Sequence, residues 1–225
     1  LAAGAARDTL VAPFRRPRAD TFAEVVRAGL GPTMANAFYA PYVEKLWGVP
    51  PDQLSGELAR RRVSADGPVA IARKLVRARK GGATFLYPRR GFGQISEALA
   101  DAASAAGAEI RLSSPVEELD GLDAGLVFST LPVTALAAMA GGPTTTLTHR
   151  GMALVHLTLD RRPYTPFDAH YFPEPDVVFS RLSEPTNYRE SADDPADRTV
   201  LCAEVPCTAG DATWSAPDAD LGEQV

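Results

Sequence analysis

Between Tyr87 and Pro132 the chain reads YPRRGFGQISEALADAASAAGAEIRLSSPVEELDGLDAGLVFSTLP, the one long stretch in which turn, helix and strand signals follow one another without conflict. Tyr87-Pro88 closes an extended piece, and Gly91 and Gly93 bracket Phe92 in a turn able to bring backbone close to a partner. Ile95, Ala98, Leu99, Ala102 and Ala106 then recur at helical spacing, with Glu97, Asp101 and Ser104 on the other face, and Gly107 ends the amphipathic helix this predicts. Alternation around Ile110 and Leu112 predicts a strand over 109–113. Val116 and Leu119 predict a second, and the apolar run Leu126-Val127-Phe128 a buried third that runs into Ser129-Thr130-Leu131-Pro132.

Composition narrows the class. With 225 residues, 45% of them hydrophobic, and a net charge of −5, the chain is long enough to bury a core in one large or two small domains. Its mild acidity, and basic residues scattered without interleaved aromatics, argue against a nucleic-acid partner. No run approaches the ~20 apolar residues that span a bilayer, which places the chain in the cytoplasm; peripheral membrane contact through a surface helix stays open, and no oligomeric state is specified. Cys202 and Cys207 are too few for a disulfide framework, and neither they nor His149, His156 and His170 have metal-ligand spacing, so no metal site is expected. His156, among apolar neighbours on a strand, reads as a core residue.

Upstream, Asp20 or Thr21 caps a helix through Phe22, Val25, Val26 and Leu30, stopped by Gly31-Pro32. PTMANAFYAPYVEKLWGVPPDQLS follows, with Phe38, Tyr42 and Leu46 on one helical stripe and Pro41 interrupting it. Tyr42, Lys45 and Trp47 read either as core and surface of a helical subdomain or as a wall facing substrate. Beyond it come a helix through Leu54, Leu58 and Val63 and a basic helix within 64–79. Downstream, a short helix over 134–139 precedes strands at 151–159, 169–172, 177–182 and 200–205, an antiparallel sheet with one face on the core and the other toward a ligand. Arg181 is placed on that sheet either to clamp a carboxylate or phosphate or to pair with Glu184 or Asp176, and Tyr171 and Phe179 either flank a planar substrate or pack.

Three of these segments together resemble the flavin-dependent amine oxidase, protoporphyrinogen oxidase and phytoene desaturase superfamily. They are the Tyr87–Pro132 order of elements, the segment from Pro32 to Ser55, and HYFPEPDVVFSRLSEPTNY from His170 to Tyr188, which is also similar to sugar-mutase-like branches. The glycine pair of the family's turn is Gly-Phe-Gly here, and Arg90 stands where a glycine is common. The resemblance implies an α+β / α/β fold, with an incomplete Rossmann-like FAD-binding domain and an α+β substrate domain made of a helical subdomain and an antiparallel sheet.

On that reading residues 1–80 form the helical part of the substrate domain, 81–140 part of the FAD-binding domain, and 141–225 the antiparallel sheet, in an internal fragment lacking the Gly-x-Gly-x-x-Gly phosphate cradle. FAD is the implied cofactor, contacted by Val116, by Ser129, Thr130, Leu131 and Pro132, and by Gly91, Phe92 and Gly93; Tyr42, Lys45, Trp47, Tyr171 and Arg181 face a small-molecule substrate. The implied activity is hydride transfer from a small organic substrate to flavin, in a parent enzyme of which this piece alone would be inactive. The alternatives are an FAD-dependent mutase similar to UDP-galactopyranose mutase and a non-catalytic substrate-binding module. No catalytic acid or base is assigned.

Overall fold

The computed structural model describes residues 1–11, 14–63, 86–143, 146–189, 191–192 and 194–225, and the basic helix expected within 64–79 lies outside them. The chain divides into two units, one made of Leu1–Arg89 with Arg150–Val225 and the other of Arg90–His149.

The first unit begins with α1 (Ala2–Val11), a helix over a stretch to which the sequence reading gave no element. Next come α2 (Phe22–Leu30), the single turn α3 (Pro32–Met34), a π-helical turn over Ala35–Tyr39, α4 (Ala40–Trp47) and α5 (Gly56–Arg62). Thr21 caps α2 as expected, its Oγ1 accepting from the Glu24 N–H at 3.3 Å, and Ser55 caps α5 in the same way. Phe22, Val25, Val26, Ala35, Val43, Ala59 and Val63 form one buried cluster, on which Leu30, Tyr39, Tyr42, Trp47, Leu54 and Leu58 pack. Gly31, at φ +89°, makes the turn between α2 and α3 where a Cβ would lie 2.3 Å from the Asp8 side chain. That approach lets the buried Asp8 carboxylate accept the Thr33 N–H at 2.8 Å and pair with Arg15 at 2.6 Å.

Pro41 explains the π-helical turn. It brings no N–H to the ladder, and its ring crowds the carbonyl four residues back. The turn before it is widened to π geometry, with the Ala40 N–H reaching back to the Ala35 carbonyl, and the helix then resumes as α4. Gly48, left-handed at φ 71°, ends α4. The last carbonyls of α4 are taken up from elsewhere, because Arg150 donates to the Lys45 and Leu46 carbonyls at 3.2 and 3.3 Å and to Thr208 Oγ1 at 2.5 Å.

Four antiparallel strands complete this unit, β1 (Arg150–Leu159), β2 (Ala169–Tyr171), β3 (Arg181–Ser183) and β4 (Thr199–Thr208), in the order β1-β4-β3-β2. The third is shorter than the 177–182 expected from sequence. Period-2 alternation buries Thr199, Leu201, Ala203, Val205 and Cys207 on one face of β4 and puts Cys202 and Glu204 on the other. His156 pairs with Cys202 on this second face and is exposed, not part of the core. Two short helices, α8 (Ala212–Ser215) and α9 (Asp218–Gln224), end the unit.

The second unit contains α6 (Gly93–Ala105) and α7 (Val133–Met139), both where the sequence places them. Gly107 terminates α6 at φ +94°. The three strands expected at 109–113, 116–119 and 126–128 are not formed, and no described residue of 108–131 belongs to a ladder. A strand is completed only by a neighbour's N–H and C=O groups, and the described residues offer these segments none. Leu112 and Phe128 are 83% and 87% exposed, and no described residue of this unit is buried.

Candidate functional site

The second face of the sheet gathers the chemistry. Register places Leu154 opposite Glu204, Glu204 opposite Arg181, and Arg181 opposite Tyr171, one cross-strand row running over all four strands. Arg181 donates from Nη2 to Glu204 Oε1, so its ion-pair partner is Glu204, where the sequence suggested Glu184 or Asp176. Burial opposes the guanidinium charge, but the bonds to Glu204 and Tyr171 outweigh it and hold the group more firmly protonated than usual. Its Nε–H is buried and has no acceptor among the described residues.

Helix α4 supplies one side of this row. Tyr42 meets Tyr171 edge to face at 5.8 Å and stacks on Phe38 at 5.5 Å with the rings 9° from parallel, so Tyr42 and Tyr171 stand near the guanidinium and Phe38 backs Tyr42. Burial, then the neighbouring Tyr171 and Glu204, raises the pKa of the Tyr42 hydroxyl. Burial likewise raises those of Tyr188 and Cys202, whose neighbours include Arg181. At neutral pH the tyrosines are therefore neutral donors and Cys202 is a thiol rather than a nucleophilic thiolate.

Lys45 points its ammonium into the protein. Its Nζ donates to the carbonyls of Phe172, Glu174, Val177 and Phe179 at 2.7, 2.5, 2.8 and 3.3 Å, and so gathers the whole loop between β2 and β3. Desolvation lowers its pKa despite the nearby Glu174 and Asp176. Phe172 and Phe179 close that loop with an edge-to-face contact at 4.7 Å. Trp47 packs on the helical core. Of the five residues proposed to face substrate, the fold thus brings Tyr42, Tyr171 and Arg181 together, fixes the connection after Tyr171 through Lys45, and sets Trp47 behind them.

Glu184 anchors the other end of the hairpin. Its buried carboxylate accepts the N–H groups of Tyr164 and Thr165, both at 2.9 Å, and Asn187 Nδ2 at 3.2 Å. Burial works against the charge, but these donors together with Thr199 prevail and depress the pKa.

In the second unit Gly91 turns at φ +88° with no atom within 4 Å of where a Cβ would stand, and Gly93 is equally open. Phe92 and Val116 are exposed, the Leu131 N–H donates to Ser129 Oγ at 3.3 Å, and Pro132 stands at the N-terminus of α7 beside Thr130 and Leu131. No group of His, Cys, Asp and Glu among the described residues is arranged to hold a metal ion. No helix among them is long and apolar enough to cross a membrane.

Sequence reasoning passed over Glu204, and it gave no site role to Phe38, which it placed on the helical stripe, or to Tyr188. A signal for Glu204 was present, since it is the sole charged residue in TVLCAEVPCT and must leave the apolar face of its strand.

No family model matches the chain, and no curated protein matches it by sequence. Among solved structures it is similar to a reduced UDP-galactopyranose mutase, with a TM-score of 0.67 and 20% identity over 98% of this chain and 53% of that one. The likeness is one of fold. It agrees with the α+β class expected from sequence, and the chain spans about half the length of that mutase.

Proposed function

We propose that the chain is part of an FAD-dependent oxidoreductase that accepts hydride from a small organic substrate, and that it supplies most of the substrate-facing sheet and a portion of the nucleotide-binding domain. The observation carrying this reading is the row Glu204-Arg181-Tyr171 with Tyr42 and Phe38 beside it, a guanidinium next to aromatic rings on one sheet face. Arg181 binds an anionic group of the substrate through donors that Glu204 and Tyr171 leave unused, Glu204 fixes the guanidinium plane, and Tyr42 and Tyr171 orient a planar body against it. Lys45 and Trp47 hold this wall in place.

The residues proposed for the cofactor fit a dinucleotide in one respect, that their backbone is accessible. Val116 lies in a stretch outside any ladder, and the turn at Gly91 has open space where a side chain would otherwise intrude. Phe92 and Gly93 continue that turn, and Ser129, Thr130, Leu131 and Pro132 lie exposed in the segment before α7. The flavin, when bound, supplies the redox chemistry, and the protein supplies binding and orientation.

The name of the similar structure favours a second reading, a flavin-dependent mutase acting on a nucleotide sugar, in which Arg181 would meet a phosphate. An absorbance spectrum of the full-length gene product, followed by acid release of the chromophore, tests both readings. Flavin bands and free FAD are expected, and a colourless protein that takes up no added FAD removes them together. Anaerobic bleaching by substrate then marks the oxidoreductase, whereas turnover only after prior reduction, with no net oxidation of substrate, marks the mutase. Arg181→Gln should weaken substrate binding by about tenfold or more and leave flavin content unchanged.

A further inference from the structure

Beyond Tyr188, which neighbours Arg181, the first unit contains a cavity of about 650 Å³ lined by Tyr87, Arg89, Arg162, Tyr188 and Arg189 among others. The described lining residues include three arginines and no acid. Arg189 pairs with Asp194, and its buried Nε–H meets no acceptor among the described residues. Arg162 donates from Nη1 to the Pro195 carbonyl at 2.6 Å, a bond that holds the side chain without neutralising it. Arg89 has no ion-pair partner among the described residues. Among the described residues, two guanidinium charges therefore stand uncompensated at one cavity. Beside them Tyr87 and Tyr188 meet edge to face, ring centroids 5.2 Å apart.

Like charges converge at a cavity wall only at an electrostatic cost, and an anion relieves it. Planar guanidinium forks match phosphate oxygens two at a time, which a lysine cluster does not do. We propose that this cavity is a binding site for a phosphorylated metabolite carrying at least two negative charges, held by Arg89 and Arg162 and flanked by the Tyr87-Tyr188 pair. The site draws on arginines other than Arg181 and does not depend on the flavin reading. Its volume exceeds what a phosphate group alone needs, so the phosphate is expected to carry an organic body that rests on the tyrosine rings.

Inorganic pyrophosphate is the probe. Calorimetric titration of the purified 225-residue chain at low salt should show saturable binding whose affinity falls as sodium chloride is raised. Arg89→Gln and Arg162→Gln should each weaken binding at least about tenfold, the scale of a lost charge-assisted hydrogen bond. Arg61→Gln, which removes an exposed pair with Glu57 far along the sequence, should leave it unchanged. Circular dichroism of each variant separates lost binding from lost folding, and Arg89→Lys, which keeps the charge without the fork, should fall between wild type and Arg89→Gln. A chain that binds no pyrophosphate at millimolar concentration, or one whose binding is indifferent to Arg89 and Arg162, overturns the assignment. Pyrophosphate binding with a colourless full-length protein would keep this site while removing the flavin reading, so the two fail separately.

Discussion

The two units of this chain were built from similar sequence signals and reached different ends. In the first, α2, α4 and α5 bury Phe22, Val26 and Ala59 almost completely, and β1 and β4 pair over ten residues. In the second, α6 and α7 form as expected, yet Ile95, Leu99, Leu112, Leu126 and Phe128 all remain exposed and no strand is laddered. A helix closes its hydrogen bonds within its own segment, whereas a strand needs donors and acceptors brought from elsewhere in the chain. The difference shows which part of the sequence carries its own partners.

Hydrogen exchange gives the largest contrast. Amides in 108–131 should exchange at rates near those of an unstructured peptide, while the paired amides of β1 and β4 should be protected by several orders of magnitude. Protection of 109–113 or 126–128 in the chain alone would break the comparison. Protection of those segments appearing only in a longer gene product would sharpen it, because the pairing groups would then have been supplied.

Within the first unit, a single side chain organises much of the loop between β2 and β3. Lys45→Met keeps the aliphatic stem and removes every donor to the carbonyls of Phe172, Glu174, Val177 and Phe179. The expected loss is about 2 to 3 kcal/mol in denaturant unfolding, since hydrogen bonds to charged groups are individually worth roughly 1.5 to 3. An unchanged midpoint would show that the loop is held by Phe172 and Phe179 alone.

Much of the first unit was legible because its signals are local. Thr21 before an apolar helix, Gly48 after Trp47, and the alternation of β4 each announce an element and its boundary. The Arg181 row was legible only in part. The sequence pointed to Arg181 and Tyr171, but the partner of Arg181 is set by β3-β4 register across 23 residues, which no local pattern encodes. Lys45 likewise offered a choice of roles, and its four acceptors lie more than a hundred residues away. The expected strands of the second unit had the right composition but lacked, among the described residues, the neighbours that would make them strands.

A pH titration probes a second anchor of the same hairpin. The Glu184 carboxyl has a lower pKa in the folded chain than its ordinary 4.5, so its contribution to stability is fully present above that value. It is lost as pH falls through the depressed folded value. Glu184→Gln should cost about 1 to 3 kcal/mol at pH 7, because it places an amide N–H₂ among the donors of Tyr164, Thr165 and Asn187. As pH falls below 4.5 and through the depressed folded value the gap between variant and parent should narrow, and a constant gap down to pH 2 would mean that the carboxylate charge is not what holds the Tyr164-Thr165 turn.

The smallest effect is expected from a change that elsewhere would be severe. Leu99 lies near the middle of α6 and is 66% exposed, so Leu99→Ala removes little buried surface and leaves no cavity. Alanine is also the better helix former. Unfolding of the chain alone should shift by no more than about 0.5 kcal/mol. A loss of about 2 to 5 kcal/mol, the range for a buried leucine, would break the comparison by showing that α6 is packed in solution. If the same substitution is silent in this chain and costly in the longer gene product, the apolar face of α6 belongs to a core whose other side is built from additional segments.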